Sequence, residues 1–301
     1  MELRQLRYFV KVAKLKNFSE AARELNISQS TLSQQIKQLE GSLGVELFLR
    51  DSHHVRLTDV GNAFLPQAER TLSAANDCIE KIRDVQGLSE GELIIGSTYS
   101  FLPFLKETVL MFMRKHPGIK MSICCYSMTT LLKMVQNESV DIALSYKPLG
   151  NYPDVESHIL FDNHLAVAVS ESHPLAVKDK ITLAELEQYP WALPAKGLQA
   201  RILFDRIIDN RNYKFESGIE SNEVRVLTTL VKSSNKLVTV LSGAAVNSTP
   251  GIKSLKLDEP GTEMEGAYHV LKDKYMKRSA REFLKILCEN RSYSLALMNI
   301  L

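Results

Sequence analysis

Apolar residues recur at intervals of three and four through the first part of the chain, then give way to short strand-like runs alternating with amphipathic ones. In LRQLRYFVKVAKLKN, Leu3, Leu6, Phe9, Val10 and Ala13 form one helical stripe. Ser19 stands where an N-cap belongs ahead of EAARELN, whose Ala21, Ala22 and Leu25 face inward. Ser28 is a second N-cap, and Leu32, Ile36 and Leu39 give a third helix its buried stripe. Val45, Leu47 and Phe48 then read as a short strand, Asp51 to His54 as a turn, and Val55 and Leu57 as the return strand. Thr58 can cap a long helix from Asp59 to about Gln86, with Pro66 in its first turns. Its seam of Phe64, Ala68, Leu72, Ala75, Ile79 and Ile82 is spaced by four, four, three, four and three. A lone helix would leave that seam wet, so either a second copy or the chain's own domains must cover it. GLSEGE, from Gly87 to Glu92, reads as a hinge.

Beyond Leu93 the pattern predicts strand ELIIGS, helix FLPFLKETVLMFMRKH, strand IKMSICCYS, helix TTLLKMVQNES and strand VDIALSY. A second round follows: strand HLAVAVS, helix TLAELEQ, strand PWALPA, helix LQARILFDRIIDN, strand YKFESGIES, helix EVRVLTTLVKS and strand KLVTVLS. Such alternation predicts an α/β fold with a largely parallel sheet, and two such rounds predict two lobes with a cleft between them.

The third helix is unusual on its other face. With Leu32, Ile36 and Leu39 turned inward, Gln29, Ser30, Ser33, Gln34 and Lys37 lie outside near the helix start. Two short helices in series, the second carrying small polar side chains at its start, suit a helix-turn-helix that enters the major groove. Glutamine can bond an adenine edge bidentately, and lysine can meet phosphate or guanine. The plainer reading is a solvated helix face. A hairpin after such a pair is a wing, which places Arg50, His53, His54 and Arg56 against the DNA backbone or minor groove. His53 and His54 have no further ligands nearby in sequence to make a metal site.

Charge supports a polyanionic partner. Up to Thr58 there are nine basic and six acidic residues, an excess of three in a chain of net charge +2. The chain of 301 residues is 45% hydrophobic and 24% charged, ordinary for a soluble protein of two or three domains. It has no apolar run long enough for a membrane span and no signal-peptide pattern at its start, so cytoplasmic residence is expected. Cys78, Cys124, Cys125 and Cys288 show no zinc-ligand spacing. Cys124 and Cys125 sit in what reads as a buried strand, as apolar filler or, alternatively, as a thiol-redox pair. No nucleophile elbow, Walker loop, HExxH or dinucleotide-binding glycine motif is present, so no catalytic residue, metal or cofactor is assigned.

These residues carry a specific resemblance. The motifs are Phe18-Ser19-x-Ala21-Ala22-x-x-Leu25, Ser28-Gln29-Ser30-x-Leu32-Ser33-x-x-Ile36-x-x-Leu39-Glu40, Gly44, Leu47-Phe48-x-Arg50 and Leu57-Thr58-x-x-Gly61. Together they resemble the DNA-binding domain of LysR-type transcriptional regulators. The resemblance implies a winged helix-turn-helix over 1–58, with Ser28, Gln29, Ser30, Thr31, Ser33, Gln34 and Lys37 nearest the bases. It also implies a linker and dimerisation helix with hinge over 59–90, and an effector-binding domain over 91–301 resembling type II periplasmic binding proteins. In that domain, lobe I would be about 91–162 and 268–301, the latter with strand GAYHVLK and helix SAREFLKILCE, and lobe II about 163–267. Departures from the family pattern are Ser52-His53-His54 at the wing tip, Ser233-Ser234-Asn235 in place of a glycine-rich segment, and Ser242-Gly243-Ala244 in place of Leu-Pro.

Ligands of open α/β sheets bind beyond the carboxyl ends of strands. That rule selects Ser97, Thr98, Tyr99, Ser100, Ser127 and Thr129 in one lobe, and Ala195, Lys196, Gln199, Ser221 and Asn222 in the other. Hydroxyls, amides and free helix N-termini suit a carboxylate or other small anion, although the same residues also cap helices. Arg201 could pair with a ligand carboxylate or simply be solvated. The expected function is promoter binding as a homodimer or homotetramer under control of a small-molecule effector, with self-association through the linker helix and effector domain and RNA polymerase as a further candidate partner. Alternatives are a thiol-responsive regulator using Cys124 and Cys125, an enzyme tethered to DNA, and a sequence-indifferent architectural protein.

Overall fold

The computed structural model describes residues 1–50, 55–86, 90–211, 213, 215, 217–247 and 249–289. The chain separates into two compact units, Met1–Val85 and Gln86–Leu301.

The first unit contains α1 (Leu3–Leu15), α2 (Phe18–Glu24), α3 (Gln29–Leu43), a hairpin of β1 (Phe48–Arg50) and β2 (Val55–Leu57), and α4 (Asp59–Gln86). The inward stripes meet as expected: Leu6, Phe9, Leu32, Ile36, Leu39 and Leu47 are almost wholly buried in one cluster. Each such side chain contributes about 1.5–3 kcal/mol on burial. Phe9 ties the layers together, its ring 5.3 Å from Phe48 and 5.2 Å from Phe64. Leu3, by contrast, lies outside the packed stripe and is exposed.

Caps decide where these helices begin. Ser28 caps α3, its Oγ accepting the Thr31 N–H at 3.1 Å. The cap of α2 is Asn17 rather than Ser19, because the Asn17 Oδ1 accepts the Glu20 N–H at 3.0 Å. This frees the Ser19 hydroxyl for another bond. Glu40 of α3 accepts the Leu47 and Phe48 N–H groups at 2.9 and 3.2 Å, which anchors the hairpin to the helix. Thr58 accepts the Gly61 N–H at 2.9 Å and donates to the Glu46 carbonyl at 2.8 Å. Gly61 cannot be larger: a Cβ there would lie 2.2 Å from the Leu47 carbonyl oxygen. Pro66 stands inside α4 rather than at its start, so the helix lacks one interior N–H donor there. The hairpin turn and the first half of the expected hinge, 87–89, lie outside the described residues.

In the second unit, β3 (Gly91–Ser97) runs into a 3-10 turn (Tyr99–Phe101) and α5 (Leu102–Lys115). Next come β4 (Ile119–Cys125), α6 (Met128–Gln136) and β5 (Ile142–Tyr146). The long β6 (Val155–Ser170) leads to β7 (Lys180–Ile181), α7 (Leu183–Leu186), β8 (Trp191–Pro194), α8 (Gln199–Asn210), β9 (Ser217–Ser221) and α9 (Val224–Lys232). The unit closes with β10 (Thr239–Ser242), α10 (Gly243–Asn247), β11 (Ile252–Leu257), β12 (Glu263–Leu271) and α11 (Arg278–Glu289).

The main sheet has the order β4-β3-β5-β12-β6-β11-β7, with β10 also on β6, and β8 pairs with β9 separately. β3, β4 and β5 are parallel, whereas β12 runs antiparallel to both β5 and β6. β6 belongs to two lobes: it pairs with β12 along Val155–His164 and with β10 and β11 along Leu165–Ser170. The fold is therefore a helical winged helix-turn-helix with a long helix, followed by a two-lobed α/β domain. One expectation fails locally. β4 is an edge strand, not a buried one, so Cys124 is half-buried and Cys125 exposed.

Candidate functional site

The first site is the start of α3. Gln29, Ser30, Thr31, Gln34 and Lys37 are exposed and Ser33 is half-buried, while Leu32, Ile36 and Leu39 hold the opposite side of the helix in the core. The exposed Ser28 also shares hydroxyl hydrogen bonds with Ser30 at 2.8 Å and Thr31 at 2.7 Å. Ser19 donates its hydroxyl to the Gln29 Oε1 at 2.9 Å, so α2 orients a glutamine of α3 and leaves its amide N–H groups outward. Composition alone gives no signal of that Ser19 role. On the hairpin, Arg56 is exposed on β2 and Arg50 ends β1; His53 and His54 lie outside the described residues.

The second site is a cleft of about 490 Å³ in the α/β unit. Of the eleven positions chosen by the strand-end rule, Thr98, Tyr99, Ser100, Ser127, Gln199 and Asn222 line it. Ser97 lies beneath, fully buried, with its hydroxyl donated to the Thr98 carbonyl at 3.0 Å. Thr129, Ala195, Lys196 and Ser221 are not among the lining residues. Ser221 instead accepts the Glu223 N–H at 3.1 Å, ahead of α9. The rule missed Cys125, Tyr146, Glu223 and Ser242, which do line the cleft. Tyr146 and Ser242 are the last residues of their strands, so counting from the strand's final residue rather than from the loop would have found both.

The cleft's electrostatics are distinctive. Among the described residues lining it there is no lysine or arginine, and Glu223 is the one charged side chain. Positive potential comes instead from helix N-termini: α6 begins after Ser127, which accepts the Thr130 N–H at 3.3 Å, and α8 and α9 begin at Gln199 and Val224. Arg201 supplies no charge here and is not solvated. It is 8% exposed and committed to Asp205 at 2.6 Å, Glu220 at 2.9 Å and the Pro194 carbonyl at 3.0 Å. Burial, Cys124 and Glu223 push the Cys125 thiol above its ordinary pKa, and burial raises Cys124 as well. Both thiols are free and disfavour the thiolate, which is the reactive form.

Two polar ties cross the cleft. Gln199 donates its Nε2 to the Lys147 carbonyl at 2.8 Å, and Ser242 donates its hydroxyl to Ser100 at 3.2 Å. Tyr146, 2% exposed, receives the Asn163 Nδ2 at 2.6 Å. Burial drives its phenol far above the ordinary tyrosine range, so it stays protonated. Gly243 lets the end of β10 come this close, since a Cβ there would meet the Asn163 Oδ1 at 3.1 Å.

Comparison with known proteins settles the class. Residues 3–62 match the family described as "Bacterial regulatory helix-turn-helix protein, lysR family", and residues 86–291 match "LysR substrate binding domain". The chain belongs to the LysR-type transcriptional regulators. It is 30% identical to the HTH-type transcriptional regulator AlsR of Bacillus subtilis over 281 residues, 91% of this chain and 92% of that one. Its fold matches a full-length OxyR variant from Pseudomonas aeruginosa with TM-score 0.71 and 26% identity, covering 96% and 94% of the two chains. It also matches full-length CbnR in complex with its target DNA, with TM-score 0.62 and 21% identity over 95% and 99%, a likeness of fold. This LysR-type regulator is thus a DNA-binding protein with an effector-binding α/β domain, and its role is regulatory rather than enzymatic. Among the described residues, no helix is long and apolar enough to cross a membrane, and no His/Cys/Asp/Glu group could hold a metal ion.

Proposed function

We propose that this regulator reads a specific promoter site through Gln29, Ser30, Thr31, Ser33, Gln34 and Lys37, with Ser28 fixing the helix start and Arg50, His53, His54 and Arg56 serving the backbone or minor groove. The observation that carries this reading is the exposed polar start of α3 over a buried Leu32–Ile36–Leu39 stripe. We also propose functional segments of 1–58 for DNA, 59–90 for linkage and pairing, and 91–301 for the effector, the last in lobes of about 91–162 with 268–301 and 163–267. The effector is a small metabolite with one acidic group, bound in the cleft. Helix N-termini and hydroxyls can hold one negative charge, while Glu223 and the absence of lining cations among the described residues disfavour a second. Its binding must favour one arrangement of the assembly over another, because equal affinity for both would shift nothing. RNA polymerase is the partner through which such a change reaches transcription.

The test is fluorescence anisotropy on a fragment of the regulator's own promoter region against random DNA. Wild-type protein should prefer the promoter fragment, and Lys37→Glu should weaken binding at least about tenfold and flatten its salt dependence. Equal affinity of the wild type for both DNAs, or an unchanged Lys37→Glu protein, would refute the assignment.

A further inference from the structure

The turn between α2 and α3 sets a hydroxyl against an amide. Asn26 takes a left-handed backbone conformation there, with φ 55°, and the Ile27 N–H bonds back to the Ala22 carbonyl at 3.1 Å. Ala21, Ala22, Leu32 and Ile36 are buried in one cluster, so the two helices hold a fixed relation. Because Asn17 caps α2, the helix start does not consume the Ser19 hydroxyl. That hydroxyl crosses to α3 and donates to the Gln29 Oε1 at 2.9 Å, and both residues are exposed.

The two ends of an amide have opposite chemistry: Oε1 accepts and Nε2 donates. A bidentate adenine contact needs both ends level with the base edge, Oε1 on the N6–H and Nε2 on N7. In this regulator Oε1 is drawn back towards α2, so Nε2 leads from the exposed start of α3. We propose that Ser19 is a positioning residue that presents Gln29 to the major groove as a hydrogen-bond donor, so that Gln29 takes the acceptor edge of guanine or thymine and not the bidentate adenine contact open to an unrestrained glutamine. Guanine offers N7 and O6 to such a donor, and thymine offers O4. Holding the amide from α2 also restricts its rotamers before DNA arrives, so less freedom is lost on binding. This inference rests on α3 being the element that reads bases.

The experiment uses the full chain. Wild-type protein first enriches its preferred duplexes from a randomised library. The base pair whose preference disappears in Gln29→Ala is the one that Gln29 reads. That pair is then varied in fluorescence anisotropy titrations, with 7-deazaadenine replacing any adenine it contains. This analogue lacks N7, so it weakens a bidentate adenine contact and leaves a contact to guanine or to thymine O4 untouched. Wild-type protein should prefer a G·C pair, or an A·T pair in which 7-deazaadenine changes affinity by less than about twofold.

In Ser19→Ala the released Oε1 can join Nε2 on adenine. The affinity for an A·T pair should then fall about tenfold on 7-deazaadenine substitution, while preferences at the other pairs persist. Ser19→Thr keeps the hydroxyl and should behave as wild type. A tenfold loss on 7-deazaadenine in the wild type overturns the inference, and so does a Ser19→Ala protein with the wild-type profile. Loss of preference at every pair in Ser19→Ala would make Ser19 a folding residue and overturns it too. Each of these results leaves the reading of bases by α3 standing. If the wild type enriches no sequence, or Gln29→Ala keeps every preference, the base-reading role of Gln29 falls and the inference falls with it.

Discussion

At the level of single residues, the chemistry of this regulator lies in side chains whose partners fix their state. His269 is fully buried between Ser145 and Ser157, with its Nε2 and Nδ1 each 2.8 Å from a serine hydroxyl. Ser145 donates its own proton to the Tyr146 carbonyl at 3.0 Å, so it accepts from His269 Nε2–H, and Nδ1 accepts from Ser157. The imidazole is therefore neutral, and burial holds its pKa down to about 4 from 6.5. Because the unfolded chain takes up the proton first, stability is constant above about pH 6.5, falls as the pH drops towards 4 and levels off below it. The size of the effect is of order 3 kcal/mol. Burial lowers His116, His164 and His173 too, with the same sign. Thermal melts from pH 7.5 to 4 should show a shallower decline for His269→Gln than for the wild type, and parallel curves would count against this account. Nothing in the sequence around His269 signals this pairing, since its partners are 124 and 112 positions away.

At the level of elements, caps and turns set boundaries that hydrophobic period alone leaves loose. Thr58 both starts α4 and ties it to Glu46, so Thr58→Ala should cost about 1 kcal/mol. Trp191, the chain's only tryptophan, lies in the α/β unit and offers a way to localise the loss. Urea unfolding followed by far-ultraviolet circular dichroism should show an earlier transition, while tryptophan fluorescence should not move. A shift in both signals would mean that the cap's effect is not local to its unit. Helices with a clear stripe and a polar cap, such as α3, were legible in sequence, and so were strands with continuous apolar runs, such as β5 and the second half of β6. The first half of β6 escaped because it alternates exposed and half-buried positions and carries Glu156, His158 and Asp162. β11 escaped because Lys253 and Lys256 interrupt its apolar positions. Half-buried strands are specified by their partners, here β12 and β6, rather than by their own composition. The cleft shows the same limit: hydroxyl-rich strand ends pointed to its rim, but the Asn163–Tyr146 floor is assembled from residues that read individually as core.

At the level of the whole molecule, the question is what covers α4. Ala68 is buried in its own unit, but Ile79, Ile82 and Val85 are 47%, 62% and 88% exposed. They follow one another at three-residue steps on the helix, so they form a stripe rather than scattered surface apolars. Under the pairing role proposed for 59–90, a second copy of α4 covers it, because a two-fold pair buries the same stripe on both chains and sets two α3 helices at a fixed separation for two half-sites. The contribution to DNA affinity is then one of effective concentration: the second half-site is bound intramolecularly, a gain of roughly 10²–10⁴ without new contacts. Ile79→Glu with Ile82→Glu should lower the sedimentation coefficient at micromolar concentration. It should weaken binding to a two-half-site fragment by at least about a hundredfold, yet leave affinity for a single half-site within about twofold. Each α3 is intact in that variant, so equal losses on both fragments would mean that the stripe supports folding instead of pairing. An unchanged sedimentation coefficient would mean that other surfaces hold the copies together.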